Sequence, residues 1–304
     1  MGLTLLRKSH QKFHYKRRLV MLQKGSDPVK KLFLIHDGTG RIEGYLPFCA
    51  SVDPRFEIYG VVLDDSVDGI PRNIRIEELA SKYVDCLLDL TSGPFYLAGW
   101  SIGGNIAIEM ANQLEARNEQ VELICMFDTP QPGFYPKGSV PSFSVSSEYE
   151  FFKRFIKSDA LLRELYSAVN MESFYSQLLD APEGAVDWEA FFGVMDNEWP
   201  FPLVKLANLT AIDRLYLLNI NRNLHHARTE HIPLSKGTYP VHMFQAMIDP
   251  IPDLDEWSKY CDNFTIHEVH ATHYSIFDEE HKEELAPKFH SILVKESRHD
   301  TFVR

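Results

Sequence analysis

FYLAGWSIGGNIA, residues 95–107, carries the strongest indication of fold in this chain. It begins with an apolar run, and GWSIG at 99–103 matches the pattern G-x-S-x-G, with Gly104 directly after it. In this pattern a serine sits on a sharp turn from a buried strand into a helix, where larger neighbours would collide. The turn raises the hydroxyl above the sheet edge and points the N-terminus of the helix at it. We therefore predict that Ser101 is a nucleophile.

Short apolar runs and helical patterns alternate on both sides of this turn. The runs that predict strands are 32–35, 58–63, 95–98 and 123–127, and apolar residues recur at helical spacing over 76–90 and 102–114. This alternation of strands and helices indicates parallel βαβ units with right-handed crossovers. Strand character returns at 241–244 and again at 264–266, in a predicted strand that extends to Val269, and a last helix is predicted over 279–294. The sequence therefore predicts an α/β fold, with a mostly parallel central sheet flanked by helices.

The alternation stops near Pro130 and resumes near residue 238, which predicts three parts in the chain. Residues 30–130 and 238–304 form the predicted α/β core. Residues 131–237 carry helical patterns and many aromatic residues, among them Phe151, Phe152, Phe155, Tyr166, Phe174, Tyr175, Trp188, Phe191, Phe192 and Trp199. A structureless loop of that length is implausible, so we predict a helical lid subdomain. Residues 1–29 hold seven lysine and arginine residues and are predicted to be a basic linker or tail.

Composition excludes several classes of protein. The 304 residues carry a formal net charge of -12, which argues against a nucleic-acid-binding surface. The four cysteines are widely spaced, and Cys49, Cys86 and Cys125 lie among apolar neighbours, so they are predicted to be reduced core residues rather than disulfide or zinc ligands. The chain shows neither the apolar core of a signal peptide nor an apolar run of membrane-spanning length. We expect a soluble, cytoplasmic protein without a membrane or nucleic-acid partner.

A serine nucleophile needs a base, and the predicted topology selects His273 among 13 histidines. His273 follows the last predicted strand and precedes the terminal helix, where a base would reach the sheet edge. His267 and His270 are rivals, but they fall within that strand or at its end. The segment His267-Glu268-Val269-His270 is not the zinc pattern H-E-x-x-H and has no third ligand spaced for it, so no metal site is predicted.

Two aspartates are candidates for the acid that orients the imidazole and stabilises its cation. Asp128 ends the strand that follows the nucleophile helix, and Asp249 ends the strand that follows the predicted lid. Asp249 also precedes a proline and Asp128 leads towards Pro130, so either residue is compatible with a simple turn. The residue pattern leaves both open.

The segment 95–107 resembles the nucleophile region of chain-terminating thioesterase domains from nonribosomal peptide and polyketide synthases, which have the α/β-hydrolase fold. LFLIH at 32–36, with Gly38 and Gly40, is similar to the first core strand and oxyanion loop of that family. FDT at 127–129 resembles its acid segment, and Trp257 with the stretch up to HYSI at 273–276 resembles its last strand and base. The resemblance covers residues 32–128 and 239–285 and is weak across the predicted lid.

The resemblance implies release of an acyl chain, peptidyl or polyketide, from the phosphopantetheine of a carrier domain through an acyl-enzyme on Ser101. It implies oxyanion donors at the N–H groups of Ile102 and Gly38, no cofactor of the chain's own, and Asp128 as the acid. Release would occur by hydrolysis or by cyclisation. Asp37 departs from the family, where proline is common, and puts a carboxylate beside the oxyanion loop.

Three alternative functions stay open. A free-standing type II editing thioesterase would favour Asp249 as the acid. A carboxylesterase or lipase would use the same residues on oxygen esters. A hydrolase fold without catalytic activity would serve as a binding module.

Overall fold

The computed structural model describes residues 1–13, 17–27, 29–63, 69–198 and 209–296. The chain divides into two units. The helical unit comprises Met1–Tyr15, Asp65–Ile74 and Gly138–Ala227, and the sheet unit comprises Lys16–Asp64, Arg75–Lys137 and Arg228–Arg304. The helices are α1 (Gly2–Phe13), α2 (Leu46–Cys49), α3 (Ile76–Leu90), α4 (Ile102–Glu115), α5 (Val145–Phe152), α6 (Asp159–Tyr166), α7 (Met171–Leu179), α8 (Trp188–Glu198), α9 (Ala211–Glu230) and α10 (Lys282–Glu296).

The sheet unit is built on a sheet that has seven strands within the described residues, in the order β1-β3-β2-β4-β5-β6-β7. The strands are β1 (Leu19–Gln23), β2 (Lys31–Ile35), β3 (Glu57–Val61), β4 (Phe95–Trp100), β5 (Val121–Phe127), β6 (Gly237–Ala246) and β7 (Cys261–Val269). β1 pairs antiparallel with β3, and the other neighbouring strands of this sheet pair in parallel. The predicted α/β fold is confirmed.

Burial explains why these segments became strands. The residues of β4 from Phe95 to Gly99 are buried, as are those of β2 from Leu32 to Ile35, so both strands carry continuous apolar runs. Neighbouring strands are in register at Ile35 and Gly99 and again at Trp100 and Phe127. The carboxyl ends of β2, β4 and β5 therefore meet at one edge, where a parallel sheet places its site.

Residues 1–29 differ from the predicted linker, because they contain a helix and a strand. In the helical unit, α1 packs on α7, and Leu6 of α1 is buried. The Gly2 N–H donates to the Asp180 carboxylate, and the Arg7 guanidinium forms an ion pair with Glu172. In the sheet unit, β1 adds an antiparallel strand to the edge of β3. The linker was predicted from the seven basic residues. The apolar residues between them were not taken into account, and in the structure they pack against α7 and β3, which lie later in the sequence.

The helical unit has an aromatic and ionic core of its own. Phe152 and Phe191 are buried and stack with ring centroids 5.1 Å apart, so these aromatics serve as core. The Glu148 carboxylate is fully buried and pairs with both terminal nitrogens of Arg222, and it also accepts a hydrogen bond from Tyr175. A buried carboxylate needs such partners because desolvation without them is costly. Trp199 lies outside the described residues.

Candidate active site

Ser101 lies at the junction of β4 and α4 with φ 54° and ψ -125°. Positive φ is strained for a residue with a side chain, and such strain persists where the surrounding structure holds it. Here the Ser101 N–H donates to the carbonyl of Phe127 at 2.9 Å, and the Ser101 carbonyl accepts from the Gly104 N–H at 3.1 Å. The hydroxyl is thereby presented at the start of a helix, as the sequence pattern predicts.

The flanking glycines are required because backbone atoms approach them closely. A Cβ on Gly99 would lie 2.1 Å from the carbonyl carbon of Gly103, and a Cβ on Gly103 would lie 2.6 Å from the carbonyl oxygen of His36. Both contacts are with backbone, which has no room to move in a packed interior. The glycines of the pattern therefore let the turn fold back on itself against β2.

The structure brings His273 and Asp128 together. His273 Nδ1 lies 2.6 Å from Asp128 Oδ2, and the other carboxylate oxygen accepts the N–H of Ala246 at 2.9 Å. Asp128 is 1% exposed, and its own N–H donates to the Phe244 carbonyl. Because a carboxylate can only accept, Nδ1 carries the proton and Nε2 is left as the basic nitrogen. The imidazole is held in the tautomer that general-base catalysis requires.

The segment that follows Asp128 is also held in place. The indole N–H of Trp257, a fully buried residue, donates to the Thr129 carbonyl at 3.1 Å. This contact fixes the chain directly after the carboxylate.

The rival residues lie elsewhere in the sheet unit. Asp249 lies in an exposed turn after β6, and within the described part of the chain it makes no hydrogen bond with His273. His267 is hydrogen-bonded to His242, with 2.8 Å between the two ring nitrogens. His270 is exposed, and its N–H donates to Glu284. The geometry therefore favours Asp128 and His273 as the pair.

Trp100 links the Ser101 turn to the segment that carries His273. Its indole N–H donates to the His273 carbonyl at 3.1 Å, and the two rings lie 5.7 Å apart. Among the described residues no hydrogen bond joins the Ser101 hydroxyl to His273 directly. Contacts of this kind are often long before substrate binds. The residue next to Ser101 thus holds the segment that carries the imidazole.

The two predicted oxyanion donors lie at the ends of different strands. Ile102 is the first residue of α4, where N–H groups have no partner within the helix. Gly38 lies in the turn after β2. Asp37 organises this turn: its Oδ1 accepts both the N–H and the hydroxyl of Thr39, at 2.7 and 2.6 Å. The carboxylate that departs from the family pattern is therefore engaged within its own loop, and burial raises its pKa.

His36 anchors the other side of the same loop. Its Nδ1 lies 2.8 Å from the Asp37 carbonyl, and its Nε2 lies 2.9 Å from the hydroxyl of Tyr83. The carbonyl can only accept, so Nδ1 carries the proton and Nε2 accepts from Tyr83. The neutral ring satisfies both partners, and burial lowers the pKa of His36 from 6.5 to about 4.

Acidification is expected to destabilise the folded protein partly through His36. Between pH 6.5 and about 4 the unfolded chain binds this proton and the folded chain does not, so stability falls as pH falls. The contribution is about 3 kcal/mol over that window. Urea unfolding of wild type and His36→Gln at several pH values measures it, because the variant lacks this titrating imidazole. An equal loss of stability in the two proteins would contradict the assignment.

Two residues that hold parts of this site in contact could not be predicted from the sequence. Trp100 fills the variable position of G-x-S-x-G, and Tyr45, described below, belongs to no pattern. Apart from the glycines and serine, the pattern fixes no side chain, so their contacts were not predictable.

Two features of the described ranges concern metal clusters and membrane-spanning helices. Within them, no group of three or more histidine, cysteine, aspartate or glutamate side chains is arranged to hold a metal ion. The described helices include none with the length and apolar character needed to cross a bilayer. All four cysteines are free thiols, and three of them are buried.

A family model described as "Thioesterase domain" matches residues 30–293 of the chain. Among curated relatives, the non-reducing polyketide synthase PKS16 of Cladonia grayi is 32% identical over 136 residues, covering 44% of this chain and 6% of that protein. Malpibaldin synthetase of Mortierella alpina is 35% identical over 100 residues, covering 32% of this chain and 2% of that protein. The chain thus spans only a small part of these synthases.

Solved structures agree on the fold. The NocB thioesterase domain, in covalent complex with a fluorophosphonate nocardicin G analog, is 18% identical with a TM-score of 0.57, and the match covers 87% of this chain and 94% of that one. The type II thioesterase BorB from the borrelidin biosynthetic cluster is 20% identical with a TM-score of 0.59, and the match covers 93% and 98%. At these identities the likeness concerns the fold. The family resemblance inferred from the sequence is confirmed by the family match.

Proposed function

This chain belongs to the thioesterase domain family, and from that premise we propose that it releases an acyl chain from the phosphopantetheine arm of a carrier domain through an acyl-enzyme on Ser101. The acyl chain is a peptide or a polyketide. The curated relatives include both a polyketide synthase and a malpibaldin synthetase. The chain matches only a small fraction of each, so the carrier is proposed to be a separate domain or protein.

In the first step the Ser101 hydroxyl attacks the thioester carbonyl and His273 Nε2 takes its proton. Negative charge develops on the carbonyl oxygen and is stabilised by the N–H groups of Ile102 and Gly38. The C–S bond then breaks, and the imidazolium gives its proton to the departing pantetheine thiolate. Asp128 keeps the imidazole in the correct tautomer and stabilises its cation.

In the second step a nucleophile removes the acyl group from Ser101. Water, or a hydroxyl or amine of the acyl chain itself, loses its proton to His273 as it attacks the ester carbonyl. The Ser101 oxygen leaves and regains that proton from the imidazolium. Water gives a free acid, whereas an internal nucleophile gives a ring.

The observation that carries the proposal is the pairing of His273 with Asp128 beside the Ser101 turn. Asp128 uses one oxygen for His273 and the other for the Ala246 N–H, so its orientation is fixed before substrate arrives. This arrangement also bears on the alternative of a type II editing enzyme, which the likeness to BorB keeps open. The editing enzymes would favour Asp249, whereas the geometry favours Asp128.

A panel of acyl-pantetheine thioesters, with matched p-nitrophenyl esters, tests the proposal. We expect thioesters to be turned over faster than oxygen esters of the same acyl group, and intact-mass analysis to show an acyl adduct that maps to Ser101. Turnover of the esters without the thioesters would indicate a carboxylesterase instead. Failure of a fluorophosphonate probe to label the folded protein would indicate a fold used only for binding.

A further inference from the structure

Tyr45 bridges the ends of two strands beneath the active site. It lies in the 3₁₀ turn Glu43–Tyr45, which follows the oxyanion loop, and it is 1% exposed. Its hydroxyl donates to the Ile35 carbonyl and accepts the N–H of Trp100, each at 2.7 Å. One hydroxyl therefore satisfies a buried acceptor on β2 and a main-chain donor on the neighbouring β4, as polar backbone groups inside a protein require.

The two bridged positions lead directly into the proposed catalytic groups. Ile35 is the last residue of β2, three residues before Gly38, and Trp100 immediately precedes Ser101. β2 and β4 remain in register up to Ile35 and Gly99. At the carboxyl ends of the two strands, the Tyr45 hydroxyl links the serine turn to the start of the oxyanion loop.

Trp100 connects Tyr45 to the segment that contains His273. Its main-chain N–H is held by Tyr45, and its indole N–H holds the His273 carbonyl at 3.1 Å. The rings of Tyr45 and Trp100 both pack edge-on against the Phe277 ring, with centroids 5.0 and 5.6 Å away. Phe277 also packs on Phe127, whose carbonyl accepts the Ser101 N–H. The pair is thus fixed by hydrogen bonds and by packing.

We propose that Tyr45 and Trp100 form a positioning pair, which sets the mutual placement of Ser101, the oxyanion loop and the His273 segment. This inference rests on the proposed function, because it assumes that these three parts act together on a substrate. Neither residue is assigned contact with the reacting atoms. Their role is to hold the parts in register, because a displacement of about 1 Å in an active site can cost about 100-fold in rate.

The hydroxyl of Tyr45 is suited to this role because it stays protonated. Burial raises the pKa of Tyr45 well above its ordinary value, so the O–H remains a donor to Ile35 throughout the physiological range. Phenylalanine at this position would keep the packing on Phe277 and leave the Ile35 carbonyl and the Trp100 N–H without their shared partner. The substitution therefore isolates the hydroxyl.

Tyr45→Phe is compared with Tyr239→Phe as a matched control. Tyr239 is also buried in the sheet unit, and its hydroxyl lies within hydrogen-bond distance of the Ile108 carbonyl and Asn112 Oδ1, contacts that involve none of the proposed catalytic residues. For Tyr45→Phe we expect kcat on an acyl-pantetheine thioester to fall about 10- to 100-fold with KM changed less than about twofold. Labelling of Ser101 by a fluorophosphonate slows in parallel. Tyr239→Phe is expected to keep the wild-type kcat and labelling rate.

The inference is overturned if Tyr45→Phe and Tyr239→Phe show the same kcat and labelling rate, because the hydroxyl would then contribute to folding alone. If Tyr45→Phe does not fold, Trp100→Phe is tested instead. That variant loses the indole N–H that bonds the His273 carbonyl and keeps the main-chain N–H that bonds the Tyr45 hydroxyl. A wild-type kcat in that variant overturns the pairing. If wild type releases no thioester, the proposed function fails, whereas the labelling rates still decide the role of Tyr45.

Discussion

Replacing Ser101 by alanine is expected to abolish acyl release, with a fall in kcat of about 10⁶-fold. The variant has no oxygen to attack the thioester, so neither the acyl-enzyme nor its breakdown occurs. Alanine keeps a Cβ at the same positive φ, so the strained turn and its bonds to Phe127 and Gly104 are expected to persist. Single-turnover assays with an acyl-pantetheine thioester, followed by intact-mass analysis, measure both release and adduct.

The control for Ser101→Ala is a measurement of its stability, which excludes misfolding as the cause of lost activity. Thermal unfolding of Ser101→Ala is expected to match wild type closely, so that a lost activity reflects lost chemistry. Ser101→Cys keeps a nucleophile in the same place and is expected to form an adduct and retain a fraction of the activity. Release by folded Ser101→Ala within tenfold of the wild-type rate would show that another residue performs the attack.

Asp128→Asn is expected to lower kcat by about 10⁴-fold, whereas Asp249→Asn leaves it within about twofold of wild type. The amide introduced by Asp128→Asn can still accept the Ala246 N–H, but its NH₂ group would face His273 Nδ1 and favour the tautomer with the proton on Nε2. The imidazole would then have no basic nitrogen for Ser101. Asp249 lies in an exposed turn and has no comparable contact in the described part of the chain.

Steady-state kinetics of the two asparagine variants measures this difference, and each serves as the control for the other. Both substitutions remove one negative charge from a segment that follows a strand of the sheet, so an effect of net charge alone would appear in both. A large loss in Asp249→Asn together with a small loss in Asp128→Asn would reverse the acid assignment. That result would favour the type II editing enzyme.

The strands that sequence predicted well are those buried on both faces. The predicted run 95–98 lies within β4, and 32–35 differs from β2 by one residue. β7 (Cys261–Val269) begins three residues before the predicted strand 264–269, because Asp262 and Asn263 are exposed and polar and give no apolar signal. Residues 1–29 were missed for a similar reason. Their few apolar side chains became informative only once α7 and β3 were placed against them.

The local sequence encodes the Ser101 turn, because its positive φ and its close backbone approaches, one of them to the His36 carbonyl oxygen, require glycines at 99 and 103. It also determined the parallel core, since a strand buried on both faces must be apolar throughout. Only the tertiary structure placed Asp128 against His273, 145 residues away, and turned the Asp37 carboxylate into its own loop. Only the tertiary structure brought Tyr45 between β2 and β4. These contacts depend on which strands become neighbours, and no local pattern of residues encodes that.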